Sequence, residues 1–165
     1  MMLQYIDTVA GKTLRAIAML CLVSLFLLLF INVLARTFQF AGFAWFDEVV
    51  QGLFAWMVFI GAAALWRERD HFVVSWLQDS LGDTRLAAVL RLLVTLLCLC
   101  FLLVMTYYGY LIWDRNTALT PILQLPGSLL YVVIPIAGTV MTVYSARDLV
   151  VSLLDIFNSN GDSDA

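Results

Sequence analysis

Ionisable groups are missing where a membrane machine would need them. The chain has one histidine, His71, and only 13% of its residues are charged. No Asp, Glu, Lys, Arg or His falls near the middle of a long apolar run. Transporters and proton relays carry such groups within the bilayer, facing a cavity. A haem-carrying bundle needs axial ligands, commonly histidines from facing helices, and a single histidine at the end of a run does not supply them. The three cysteines, Cys21, Cys98 and Cys100, all lie inside apolar runs and form no CxxC pair. That pattern suits small apolar filler rather than a disulfide or a thiol relay. Metal-ligand spacing and a Gly-rich phosphate loop are also absent, and there is no basic face for nucleic acid. An enzyme is therefore not expected, nor a cofactor, a bound metal or a nucleic-acid partner.

What the chain has in abundance is apolar surface. Of its 165 residues 63% are hydrophobic, and the mean hydropathy is +0.95. Soluble domains are roughly 45–50% apolar and about 25% charged. A chain this apolar is solvated by lipid. Its net charge of −3 says less than the placement of its charges.

Four runs are long enough to span. Residues 49–66 are uncharged and apolar, and at ~1.5 Å per residue they reach ~27 Å, close to the ~30 Å hydrocarbon core. Asp47 and Glu48 stand at one end of this run, and Arg67, Glu68, Arg69, Asp70 and His71 at the other. Trp45 and Trp66 sit where an indole meets both lipid and water. An earlier run, residues 16–34, follows Lys12 and Arg15 and holds thirteen Leu, Ile, Val or Phe residues. A cleaved signal peptide is the rival reading there, since Val33-Leu34-Ala35 resembles a cleavage site. The run exceeds the roughly 7–15 residues of a signal core, so an uncleaved first span is expected. A third run, 87–113, carries Arg91 in its first turns, where it can snorkel, and Tyr107, Tyr108, Tyr110 and Trp113 as an aromatic belt at its far end. The fourth, 128–149, follows Pro126 and contains Pro135, which is expected to kink it.

Between the second and third runs, Phe72, Val73, Trp76, Leu77 and Leu81 recur at helical spacing among polar residues. This segment is too short to span and reads as an amphipathic helix over 72–81 lying in the interface, ended by Gly82. The fold class is thus all-α and integral to the membrane, with four transmembrane helices at about 14–35, 48–66, 87–113 and 128–149 plus the interfacial helix. Residues 1–157 form one domain, and 158–165 are a polar, acidic tail expected to be disordered.

With four spans, Lys12, Arg15, Arg67, Arg69, Arg85, Arg91 and Arg147 share one side, and Arg36 and Arg115 lie on the other. The positive-inside rule then puts both termini in the cytoplasm. Polar groups at the span ends are the candidate site. Asn32 and Arg36 are four apart on one helix face. Glu48, Gly52, Ala55, Ala62 and Ala63 fall within one stripe of the second span, and small residues let another helix approach closely. Trp45, Trp56 and Trp66 lie on or beside that stripe. Arg36 and Glu48 are expected to pair across the first two spans, although exposed pairs contribute only about 0–1 kcal/mol. A stripe of this kind, on a chain without a pore of its own, favours a protein partner.

The order Asn32-x-x-x-Arg36, Trp45-x-Asp47-Glu48, Phe54-x-Trp56, Gly61-Ala62-Ala63 and Arg67-x-Arg69-x-His71 resembles the small membrane subunit of tripartite ATP-independent periplasmic (TRAP) transporters, the DctQ-like family. Thr120-Pro121, Leu125-Pro126, Tyr131, Pro135 and Gly138 also fit its closing segment. Asp47 stands where a glutamate is common, and Asp70 where a glycine usually precedes the histidine. The resemblance implies a partner, a large DctM-like membrane subunit that carries substrate and sodium, so no sodium site is expected in this chain. It also implies a periplasmic binding protein that delivers an organic anion, and a bacterial or archaeal inner membrane. On this reading Asn32, Arg36 and Glu48 order the outer end, and Trp45 and Asp47 are partner or structural candidates beside them. Arg67, Arg69, His71, Trp76 and Arg91 meet phospholipid headgroups or the partner at the inner face. Two other functions stay open from the residues alone: a self-contained four-span transporter, and a structural or assembly subunit of a different membrane complex.

Overall fold

In lipid a backbone finds no hydrogen-bond partner but itself, so apolar runs of this length close as helices. The computed structural model describes residues 2–38, 43–68 and 85–161. Its helices are α1 (Met2–Thr37), α2 (Phe46–Arg67), α3 (Arg85–Arg115), α4 (Ser128–Tyr131) and α5 (Val133–Gly161). Four crossings are long and apolar enough for a bilayer, the last made of α4 and α5 in succession. No strand occurs among the described residues, only an isolated bridge between Leu119 and Pro126. The expected interfacial helix over 72–81 lies outside the described residues.

Two helices run on past their expected ends. α1 has 36 residues, about 54 Å at ~1.5 Å each, so its first turns, with Asp7, Lys12 and Arg15, precede the uncharged run. α5 reaches Gly161, so residues 158–161 continue a helix where the sequence suggests a tail, while 162–165 lie outside the described residues. The fourth crossing is interrupted at Val132, whose amide still bonds Ser128 O at 2.9 Å. Pro135 follows as the third residue of α5. First-turn amides lack an intrahelical acceptor anyway, so a proline there removes no bond of α5 itself.

The helices pack in the order α1, α2, α5, α3, and among the described residues the backbone of α1 approaches α2 alone. α1 and α2 are antiparallel: Gly11 lies against Arg67, and Gly61 faces Ala18. α3 and α5 are likewise antiparallel, with Gly109 against Ile134 and Gly138 against Thr106. α2 runs parallel to the fourth crossing, since Gly52 meets Leu130 near one end and Trp66 meets Ser145 near the other. The core sits where α2, α3 and α5 converge. Ala63, Leu102, Ala137 and Met141 are buried there, with Phe59, Ala62, Trp66, Met105 and Val140 packed against them. Two alanines at this junction bring the helix axes close, which is how spans gain van der Waals contact when lipid is as apolar as leucine. The outer faces carry large exposed apolar side chains such as Phe26, Leu97 and Phe101, ordinary surface for a bilayer solvent.

Candidate functional site at the two polar ends

At the end of the bundle that holds the N-terminus, three helices meet on one carboxylate. Arg67, the last residue of α2, forks onto Asp7 of α1: Nε donates to Oδ1 at 2.9 Å and Nη2 to Oδ2 at 2.6 Å. Tyr144 of α5 donates its hydroxyl to the same Oδ1 at 2.6 Å. A bidentate guanidinium–carboxylate pair has fixed geometry as well as strength. Gly11 makes it reachable. A Cβ at that position would lie inside the space taken by the Arg67 guanidinium, so a side chain there would require the arginine to shift from this path across α1. Asp7 precedes the apolar run, and its hydrogen bonds from Arg67 and then Tyr144 hold its carboxyl below the usual carboxylate range, against the opposing effect of partial desolvation. Beside this fork Arg15 pairs with Glu68, and Trp66 donates Nε1–H to the buried Ser145 hydroxyl at 2.8 Å.

At the opposite end, Glu48 in the first turn of α2 reaches the loop between α3 and α4. Its Oε1 accepts from the Ile122 amide at 2.7 Å and its Oε2 from the Leu123 amide at 3.0 Å. The loop braces itself further. Thr120 and Leu125 exchange two bonds, Thr120 N to Leu125 O at 2.8 Å and Leu125 N to Thr120 Oγ1 at 3.1 Å. Gln124 turns the chain with φ of 54°, the left-handed region. About two turns further into α2, Trp56 donates Nε1–H to Leu129 O at 3.3 Å.

Several expectations change in the light of this geometry. Glu48 does not pair with Arg36: among the described residues no ion pair joins them, and the carboxylate is taken by loop amides. Two amides fixed in one turn match both carboxylate oxygens, whereas Arg36 is an exposed side chain at the end of a different helix. The small-residue stripe is not open to a foreign helix along its length. Gly52 faces Leu130, and Ala63 lies in the core with Ala137 and Met141, so the chain's own last crossing occupies it. Ala62 packs at the edge of that core and Ala55 is half-buried. Arg67, assigned from the sequence to headgroups or a partner, is taken by Asp7.

The remaining candidates stay near the surface. Asn32 is half-buried and Asp47 exposed, and Trp45 stacks at a tilt on Phe43 with ring centroids 5.5 Å apart. Arg69, His71 and Trp76 lie outside the described residues, and of Arg91 only the backbone, within α3, is described. Asp7, Gly11, Tyr144 and Ser145 are the residues that sequence reasoning missed. One signal was present. Asp7, Gly11 and Arg15 recur every four residues, so they share a face of α1.

Every one of these contacts ties one part of the chain to another. The carboxylates of Asp7 and Glu48 are held by donors from neighbouring segments, and the buried cluster between the two ends is built from Ala63, Leu102, Ala137 and Met141. Comparison with known proteins agrees with a component of a membrane transporter. The family described as the DctQ component of tripartite ATP-independent periplasmic transporters matches residues 25–155. A Haemophilus influenzae protein provisionally named a TRAP transporter small permease protein is 26% identical over 149 residues, covering 89% of this chain and 91% of that one.

Proposed function

The chain belongs to the DctQ component family of tripartite ATP-independent periplasmic transporters, and on that premise we propose that it is the small membrane subunit bracing a larger DctM-like subunit. In this reading the large subunit carries out sodium-driven uptake of an organic anion delivered by a periplasmic binding protein. Sodium coupling belongs to the large subunit, and this chain holds no ion of its own. The observation that carries the reading is where the polar side chains go. Asp7, Arg67, Tyr144 and Glu48 are spent on ties at the two ends, and the uncharged middles of the spans offer no ion a stepping stone. A part built this way keeps its shape while a neighbour moves.

The loop end then faces the periplasm and the N-terminal end the cytoplasm of an inner membrane, following the seven-to-two distribution of Lys and Arg. A fluorescent reporter that folds only in the cytoplasm, fused to the C-terminus, is expected to light up. A periplasm-dependent phosphatase fused there is expected to stay inactive, and the reverse pattern overturns the orientation.

The direct test is reconstitution. Proteoliposomes are prepared with this chain alone, with the large subunit alone, and with both, each supplied with binding protein and a sodium gradient. Uptake is expected only when both membrane subunits are present. Uptake by this chain alone removes the bracing role.

A further inference from the structure

We propose that the loop over 116–127 is seated in the bilayer interface, as a lipid-facing foot that Glu48 holds down, rather than projecting into water. The first observation is its composition. No charge occurs from Asn116 to Tyr131, and Leu119, Ile122, Leu123 and Leu125 are exposed, the first two by more than half. A water-facing loop ordinarily carries polar side chains, because it runs over the solvated surface.

The second observation is independent of side-chain character. Between Thr117 and Gly127 there are eleven residues, two of them proline, hence nine amide N–H groups. Eight of the nine have an acceptor within the protein. Water would satisfy these amides at no structural expense, so a loop in water has no need of such provision. Next to hydrocarbon each unsatisfied amide costs several kcal/mol, and irregular backbone is tolerated there only when its polar groups are met internally. Two of the eight acceptors are the carboxylate oxygens of Glu48, lent by another helix.

The third observation fixes the depth. Ile122 and Leu123 touch Glu48, one residue before the uncharged run of α2 begins. The tip of the loop therefore folds back to the level where the membrane-spanning surface starts. The last turns of α3, which lead into the loop, carry exposed Tyr107, Tyr108 and Tyr110, residues that favour the headgroup boundary. The apolar loop surface is thus continuous with the lipid-facing surface of the spans.

The test uses the full chain in lipid nanodiscs, alone and assembled with its large subunit. Cys21, Cys98 and Cys100 are replaced by alanine, and an environment-sensitive fluorophore is placed at Ile122→Cys. Phospholipids bearing a nitroxide near the headgroup and aqueous iodide serve as the two quenchers. The proposal expects blue-shifted emission, quenching by the lipid-borne nitroxide and protection from iodide, in both preparations. In the Glu48→Gln background protection from iodide is expected to fall. Red-shifted emission open to iodide in the otherwise unchanged chain means a loop in water and overturns the proposal. Lipid quenching that disappears when the large subunit is present means that protein covers the surface, and it overturns lipid as the occupant. Both overturning results are read without Glu48→Gln, so a misfolded variant does not shelter the idea.

Discussion

Gly11→Ala would put a methyl group where the Arg67 guanidinium now crosses α1. The far end of an arginine moves easily, but here it is pinned at two atoms to Asp7. The substitution is therefore expected to break the fork while leaving α1 a better helix, since alanine exceeds glycine in helix propensity by roughly 1 kcal/mol. Asp7 keeps about a third of its side chain exposed, so solvent screening limits the pair to the order of 1 kcal/mol. The two effects are similar in size and opposite in sign. The informative measurement is thus not the melting temperature alone but a cycle: Asp7→Asn should destabilise the parent chain in detergent and have little further effect once Gly11→Ala is present. An undiminished effect of Asp7→Asn in the Gly11→Ala chain would show that the fork survives. This contact was nearly invisible in the sequence, because a charge in the first turns of a helix is ordinarily just solvated. Only the four-residue spacing of Asp7, Gly11 and Arg15 hinted at a purpose. The Arg36–Glu48 expectation failed for a related reason. Opposite charges on consecutive spans are easy to pair on paper, whereas two backbone amides of a loop more than seventy residues away leave no mark in composition.

Whole elements were far easier to read. Apolar runs placed all four crossings, and flanking charges bounded α2 to within about two residues of Phe46–Arg67. The stripe of small residues on α2 was legible too, but not its occupant. A small-residue face states that some helix comes close, and nothing in a pattern local to α2 says that the helix is the same chain's last crossing. The glycines of the bundle rank these contacts. A Cβ at Gly61 would meet Ala18 Cβ at 3.9 Å, ordinary contact, whereas at Gly138 it would collide with the Thr106 hydroxyl and press the Thr106 backbone at 3.3 Å. Gly138→Ala is therefore expected to push α3 from α5 and destabilise the chain by about 1–3 kcal/mol, as overpacking does. Gly61→Ala should be tolerated or slightly stabilising, given the helix propensity it gains. Unfolding of both variants in mixed micelles, followed by loss of helical circular dichroism, separates them. Equal stability of the two would mean that α3 and α5 can repack.

For the molecule as a whole, the arrangement is a row, α1 beside α2 beside α5 beside α3, fastened at both ends. A row of helices has two broad faces, so a second subunit can cover one while lipid keeps the other. That geometry fits the proposed brace, and it makes a comparative prediction. Breaking an end tie, for example with Arg67→Gln, should lower uptake by the assembled transporter through loss of complex, so that the amount of copurified large subunit falls in parallel. Normal copurification with lost uptake would instead place Arg67 in the transport cycle itself. The sequence carried the class of molecule clearly, since hydropathy is a sum over every residue. It carried little of the lateral order of the helices, since lipid-facing and helix-facing leucines look alike.

The arginine of α2 crosses α1 at Gly11. An apolar rod in oil can slide along its axis and roll about it at little expense, and among the described residues the backbone of α1 approaches only that of α2. A guanidinium seated in a glycine notch works as a key in a keyway. Slipping α1 by one residue would turn the notch by ~100° and carry it ~1.5 Å away. Depth and azimuth of the first crossing are therefore set together, by a side chain borrowed from the second.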